Sequence, residues 1–229
     1  MLNNLLNIFN LIKIGSRRQT LESSDLFMLG VKNGQYDGDY RPAIISWQDL
    51  INYINLSIPA TGGLFSQTVD GPVVTNTTVE SSILGTGVGS LSVPAGAFRV
   101  GDSFHVVLLG HLSSKNNDDL RIRVKSGAVV LVDTGFINMP GLTNQHFELN
   151  IDFTVRAIGG AGVASIASGG QFTYIKNAST AFEGIDFSVV NNTTFDTTVN
   201  NTLIITIEWS AANPLNSIYT EIVTLSKTY

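Results

Sequence analysis

The sequence predicts an all-β fold, a jelly-roll sandwich over residues 62–229, preceded by a short amphipathic helix over 1–18 and a small hairpin-plus-helix segment over 19–61. Three observations predict it. In Phe147-Glu148-Leu149-Asn150-Ile151-Asp152-Phe153-Thr154-Val155-Arg156 every odd position is apolar and every even one polar, the period of a strand with one face in a core and the other in water. Similar runs recur toward the C-terminus between turn residues such as Asn116-Asn117-Asp118-Asp119, Ser126-Gly127, Pro140-Gly141, Gly159-Gly160 and Asn213-Pro214. No stretch beyond residue 62 keeps a helical period, and many strands without helices imply two sheets packed face to face.

Met1 to Ile14 places Leu2, Leu5, Phe9 and Ile12 at spacings of 3, 4 and 3, an a/d seam. A lone helix of about twelve residues is marginal in water, so the stripe needs sister helices, a docking groove or the chain's own domain. Asp25 to Val31, with Leu26 and Leu29, reads as a short strand, Lys32-Asn33-Gly34-Gln35 as a turn and Arg41 to Ser46 as the return strand. Ser46 to Ile54 reads as a helix capped by Ser46, with Asp49 at its third position and Trp47 and Leu50 on it. One hairpin and one helix cannot close a core, so this segment also needs neighbours.

Pro59-Ala60-Thr61-Gly62-Gly63 reads as a linker. Beyond it the expected strands are Ser90 to Val93, Ser103 to Ser113, Leu120 to Lys125, Ala128 to Asp133, His146 to Ala157, Gly162 to Ile175, Asp186 to Val190, Leu203 to Trp209 and Ser217 to Ser226. In Phe104-His105-Val106-Val107-Leu108-Leu109 both faces are apolar: the even positions suit the core, which leaves Val107 and Leu109 on a second face that a subunit interface would cover.

Composition narrows the function classes. Charged residues make up 14% of the 229, where an average soluble domain has about 25%. A surface of uncharged amides and hydroxyls suits a chain that packs against copies of itself, because such groups cost less to desolvate than charges. The net charge of −5 argues against a nucleic-acid partner. Arg121, Arg123 and Lys125 share one strand face and are expected to be solvated. With no cysteine there is neither a disulfide framework nor a thiolate metal site. The N-terminus lacks the basic start and cleavage site of a secretory signal, and no run approaches the ~18 apolar residues of a membrane span, so no membrane insertion is expected. The Asn-x-Ser/Thr triplets at Asn55, Asn76, Asn177, Asn191, Asn192 and Asn200 then reflect composition.

Catalytic, cofactor and metal sites are expected to be absent. His105 and His111 lie about 20 Å apart along one strand, too far to share a metal. Asp37-Gly38-Asp39 and Asp118-Asp119 fall in turns, where Asp bonds to the backbone, and supply too few oxygens for calcium. Gly85-Thr86-Gly87-Val88-Gly89 lacks the Lys and the strand-loop-helix setting of a phosphate loop and reads as a turn. Glu148 and Asp152 share a strand face about 13 Å apart, beyond the ~5–10 Å of paired glycosidase carboxylates. Among the aromatics, Tyr174, Tyr219 and Tyr229 could form a glycan-binding surface, whereas Trp209 continues the apolar parity of Leu203, Ile205 and Ile207 into the core.

Ser24-Asp25-Leu26-Phe27-Met28-Leu29-Gly30-Val31-Lys32-Asn33-Gly34, followed by Ile44-Ile45-Ser46-Trp47-Gln48-Asp49-Leu50, resembles a unit common near the start of phage fibre proteins: a strand, a Gly turn, a second strand and a short capped helix. Residues Leu64 to Tyr229, with Gly85-Thr86-Gly87-Val88-Gly89-Ser90-Leu91 and Thr193-Thr194-Phe195-Asp196-Thr197-Thr198, are similar to the C-terminal jelly-roll heads of viral and phage fibres and spikes. The resemblance implies a virion protein on the capsid or tail, a homotrimer anchored by its N-terminus with its β head outward. It assigns no receptor-binding residue.

The expected function is therefore a non-enzymatic fibre or spike that attaches to a host-surface glycan or protein. Trimerisation or docking to other virion proteins is expected at Leu2, Leu5, Phe9, Ile12, Leu26, Leu29, Trp47 and Leu50. The rival is a decoration (cement) protein whose head packs on the particle and binds no receptor.

Overall fold

The computed structural model describes residues 26–32, 40–46, 62–176 and 181–229. The chain divides into two units, Met1–Ala60 and Thr61–Tyr229. In the first, β1 (Leu26–Lys32) and β2 (Tyr40–Ser46) pair antiparallel, with Leu26 opposite Ser46 and Lys32 opposite Tyr40. That register leaves residues 33–39 between the strands, a longer connection than the two-residue reversal Asn33-Gly34 would make alone. The expected helices over 1–18 and Ser46 to Ile54 lie outside the described residues.

The second unit contributes β3 (Gly62–Gln67), β4 (Val74–Thr75), β5 (Ser81–Ser82), β6 (Gly87–Gly89), β7 (Ser92–Val93), β8 (Ser103–Ser114), β9 (Asp119–Ser126), β10 (Val129–Asn138), β11 (Leu142–Ala157), β12 (Ser165–Ile175), β13 (Phe182–Asn191), β14 (Asn201–Trp209) and β15 (Ser217–Lys227). The larger sheet runs β13-β12-β11-β8-β15-β3-β6, with β4 also on β15; the smaller runs β10-β9-β14-β5, with β7 also on β14. Every pairing is antiparallel, and no helix occurs among the described residues. The unit is a β sandwich.

Alternation places the core. Phe104, Val106, Leu108 and Leu112 of β8 are buried beside Phe147, Leu149, Ile151, Phe153 and Val155 of β11, and face Leu120, Ile122 and Val124 of β9 with Ile205, Ile207 and Trp209 of β14. Fully burying an aliphatic or Phe side chain contributes roughly 1.5–3 kcal/mol, so this double layer dominates the unit's stability. In β15 the buried positions change parity, from Ile218 and Thr220 to Val223 and Leu225, because a bulge between Thr220 and Ile222 inserts a residue.

Several expectations need correction. Gly62 and Gly63 are not linker but the first residues of β3, opposite Lys227 and Ser226. Gly85 to Gly89 is not simply a turn: Gly87–Gly89 is an edge strand on β3, and a Cβ at Gly87 or Gly89 would lie 2.2 or 2.0 Å from the carbonyl oxygens of Ser66 and Leu64. The strand expected from Ala128 to Asp133 continues to Asn138, past a bulge where Gly135 takes a φ of 65°. The one expected from Gly162 begins at Ser165, because Gly162 has a φ of 80°. The one expected at Asp186 to Val190 extends over Phe182–Asn191.

Candidate interaction surfaces

The outer face of the larger sheet is built in rows across β11, β8 and β15. Register aligns His146, His111 and Tyr219; then Glu148, Leu109 and Ile222; then Asn150, Val107 and Thr224; then Asp152, His105 and Ser226. Val107 and Leu109 are half-buried there, and Ile222 is 50% exposed. Ionisable groups sit at both ends, and Glu148 adds a carboxylate beside Leu109, where it accepts a bond from Asn150 Nδ2 at 2.6 Å. His105 Nδ1 and Asp152 Oδ1 lie 2.8 Å apart. At the other end His111 stands 5.9 Å from the His146 ring and 6.0 Å from the Tyr219 ring, stacked on the latter. His111 Nδ1 is buried without a hydrogen-bond partner, with Glu221 Oε1 3.4 Å away.

The outer face of the smaller sheet has a different character. Arg121 donates from Nε and Nη2 to the two Asp133 oxygens at 2.7 and 2.5 Å. Arg123 Nη1 donates to Glu80 and to Glu208, each at 2.8 Å, and Lys125 Nζ pairs with Glu80. The expectation of solvated basic residues is thus corrected: these cations are ion-paired, and the Arg123 side chain is only 13% exposed. Partial burial works against the Glu80 charge, yet bonds from Lys125 and Thr206 hold its carboxyl below the usual range. The Arg121 bond outweighs partial burial to bring Asp133 down to about 2.

A third feature lies where three connections meet beside β8, β11 and β15. Ser113, Lys115, Asn116, Thr143, Leu215 and Ser217 help line an open groove of about 380 Å³. Between the sheets, Phe98, Phe104 and Phe195 help line an apolar cavity of only about 60 Å³. That is smaller than the ~150 Å³ cavity that accepts a benzene, which leaves no room for a ligand of that size.

Of the expected contact residues, Leu2, Leu5, Phe9, Ile12, Trp47 and Leu50 lie outside the described residues, and Leu26 and Leu29 sit on β1 opposite Ser46 and Ala43. Trp209 is fully buried. Tyr174 is no glycan contact: burial pushes its hydroxyl up to about 12, assisted by its bond to Glu183. Tyr219 is half-buried on the outer sheet face, and Tyr229 is 72% exposed. Asp118 bonds Asn216 and Asp119 bonds Asn138, which occupies both with structural partners. Among the described residues no group of three His, Asp or Glu is placed to hold a metal ion, and no helix is long and apolar enough to cross a membrane. No protein-family model and no curated protein matches the sequence.

Proposed function

We propose that the chain is a non-enzymatic virion structural protein, a homotrimeric fibre or spike on the capsid or tail that docks through its N-terminal region and displays residues 62–229 as a jelly-roll head for host attachment. The observation that carries this reading is the contrast between the two outer faces of the sandwich. One is a lattice of ion pairs suited to water. The other has Val107, Leu109 and Ile222 at its centre with uncharged Asn150 and Thr224 beside them, and its one carboxylate in those two rows, Glu148, is bonded by Asn150, a composition suited to burial against another copy. A threefold arrangement also gives the seam of Leu2, Leu5, Phe9 and Ile12 the sister helices it needs.

Chain path supports the jelly-roll reading of the sandwich. β8 leads to β9 and β10 in the other sheet, the chain returns for β11 to β13, and β14 and β15 then pair with β9 and β8, far earlier in sequence. Such returns are the Greek-key connections of a jelly roll. Deleting residues 1–20 tests the docking half: particles assembled with the truncated chain are expected to lack it. Retention at normal copy number would instead support a decoration protein held by its head.

A further inference from the structure

We propose that the groove beside Lys115 is a binding site for a saccharide unit bearing a carboxylate, an inference that names the ligand class for the host-attachment reading above. The groove is built on a rigid frame. Asn216, fully buried, accepts the Lys115 backbone N–H at 2.8 Å and donates from Nδ2 to Asp118 Oδ2 at 3.0 Å and to the Ala211 carbonyl at 3.3 Å. Ser114 Oγ donates to the Pro140 carbonyl at 2.6 Å, and Asn117 N–H donates to Met139 O at 2.9 Å. These bonds join the β8–β9, β10–β11 and β14–β15 connections before any ligand arrives, so little ordering entropy is lost on binding.

The lining chemistry names the class. Its volume of about 380 Å³ falls within the ~300–1,000 Å³ of small-molecule pockets. Ser113, Asn116, Thr143 and Ser217 offer hydroxyl and amide groups, and Pro214 with Leu215, which is 62% exposed, provides an aliphatic ledge. A pyranose presents this same combination, a ring of hydroxyls and an apolar C–H face. No carboxylate lines the groove, and among the described residues no acidic side chain pairs with the Lys115 ammonium, although the chain as a whole carries a net charge of −5. A free cation among neutral donors selects an anionic sugar over a neutral one. With no aromatic ring in the lining, single-site affinity is weak, and several heads on one particle supply the avidity.

Saturation-transfer NMR on the full chain, with 3′-sialyllactose and lactose as matched acidic and neutral probes, tests the site. The expected result is transfer to the sialyl ring and none to lactose, with apparent affinity falling at least tenfold in Lys115→Gln and in Leu215→Glu, and unchanged in Arg156→Gln. No transfer to either probe, equal transfer to both, or wild-type affinity in Lys115→Gln overturns the site. Mass measurement on the same sample separates this from the wider reading. A trimer that binds neither sugar overturns the site alone; a single chain that binds sialyllactose through Lys115 supports the site and contradicts the trimeric reading.

Discussion

Arg121 and Asp133 form a two-pronged ion pair across β9 and β10, and the Arg121 guanidinium also lies 5.5 Å from the centre of the Phe136 ring. The pair makes stability depend on acid. Because the folded carboxyl sits at about 2 and its ordinary value is 3.8, its contribution is fully present above pH ~4 and is lost as pH falls toward 2. Asp133→Asn is expected to cost about 1–2 kcal/mol at pH 7, after allowance for solvent screening, and to flatten the thermal midpoint between pH 4 and 2. Circular-dichroism melts across that range check it; an unchanged acid limb in the variant would exclude the pair as its source.

Gly110 faces the core in β8 at a point where a side chain has no room. A Cβ there would lie 2.1 Å from the Tyr219 carbonyl oxygen and 3.0 Å from the Phe147 ring. Gly110→Ala is therefore expected to destabilise by 2 kcal/mol or more, on the order of other overpacked cores. Gly63→Ala, with nothing within 4 Å, is expected to change stability little. Equal urea midpoints for the two variants would contradict this account of the packing.

Leu108 and Leu109 are neighbours with opposite duties. Leu108 is fully buried between the sheets, and Leu108→Ala is expected to cost about 2–5 kcal/mol. Leu109 faces outward beside Ile222, so the double change Leu109→Lys with Ile222→Lys is expected to leave the far-UV spectrum intact while dissociating the proposed trimer. Sedimentation of that variant as an intact trimer would remove the β8–β15 outer face from the interface.

How much of this was legible in the sequence depended on whether a feature was local. β8, β9 and β11 could be read because their alternation runs unbroken from Phe104 to Leu108, Leu120 to Val124 and Phe147 to Val155. β10 was read short because Thr134 and Gly135 form a bulge, which breaks the period without ending the strand. β3 and β6 escape a sequence reading because glycine is a poor strand former: Gly62 and Gly63 open β3, and the use of Gly87 and Gly89 in β6, a close approach to the β3 backbone, is visible only once the strands are paired. The acidic partners of Arg123 and Lys125 come from Glu80 and Glu208, distant in sequence, so a paired network looked like a solvated stripe. The Lys115 groove was hidden for the same reason, being assembled from three connections that no spacing rule links.

Sedimentation or native mass of the purified 229-residue chain at micromolar concentration bears most directly on whether identical chains assemble. The account predicts a species of three 24.6 kDa chains. A stable single chain of 24.6 kDa, with Val107, Leu109 and Ile222 still facing water, would contradict it.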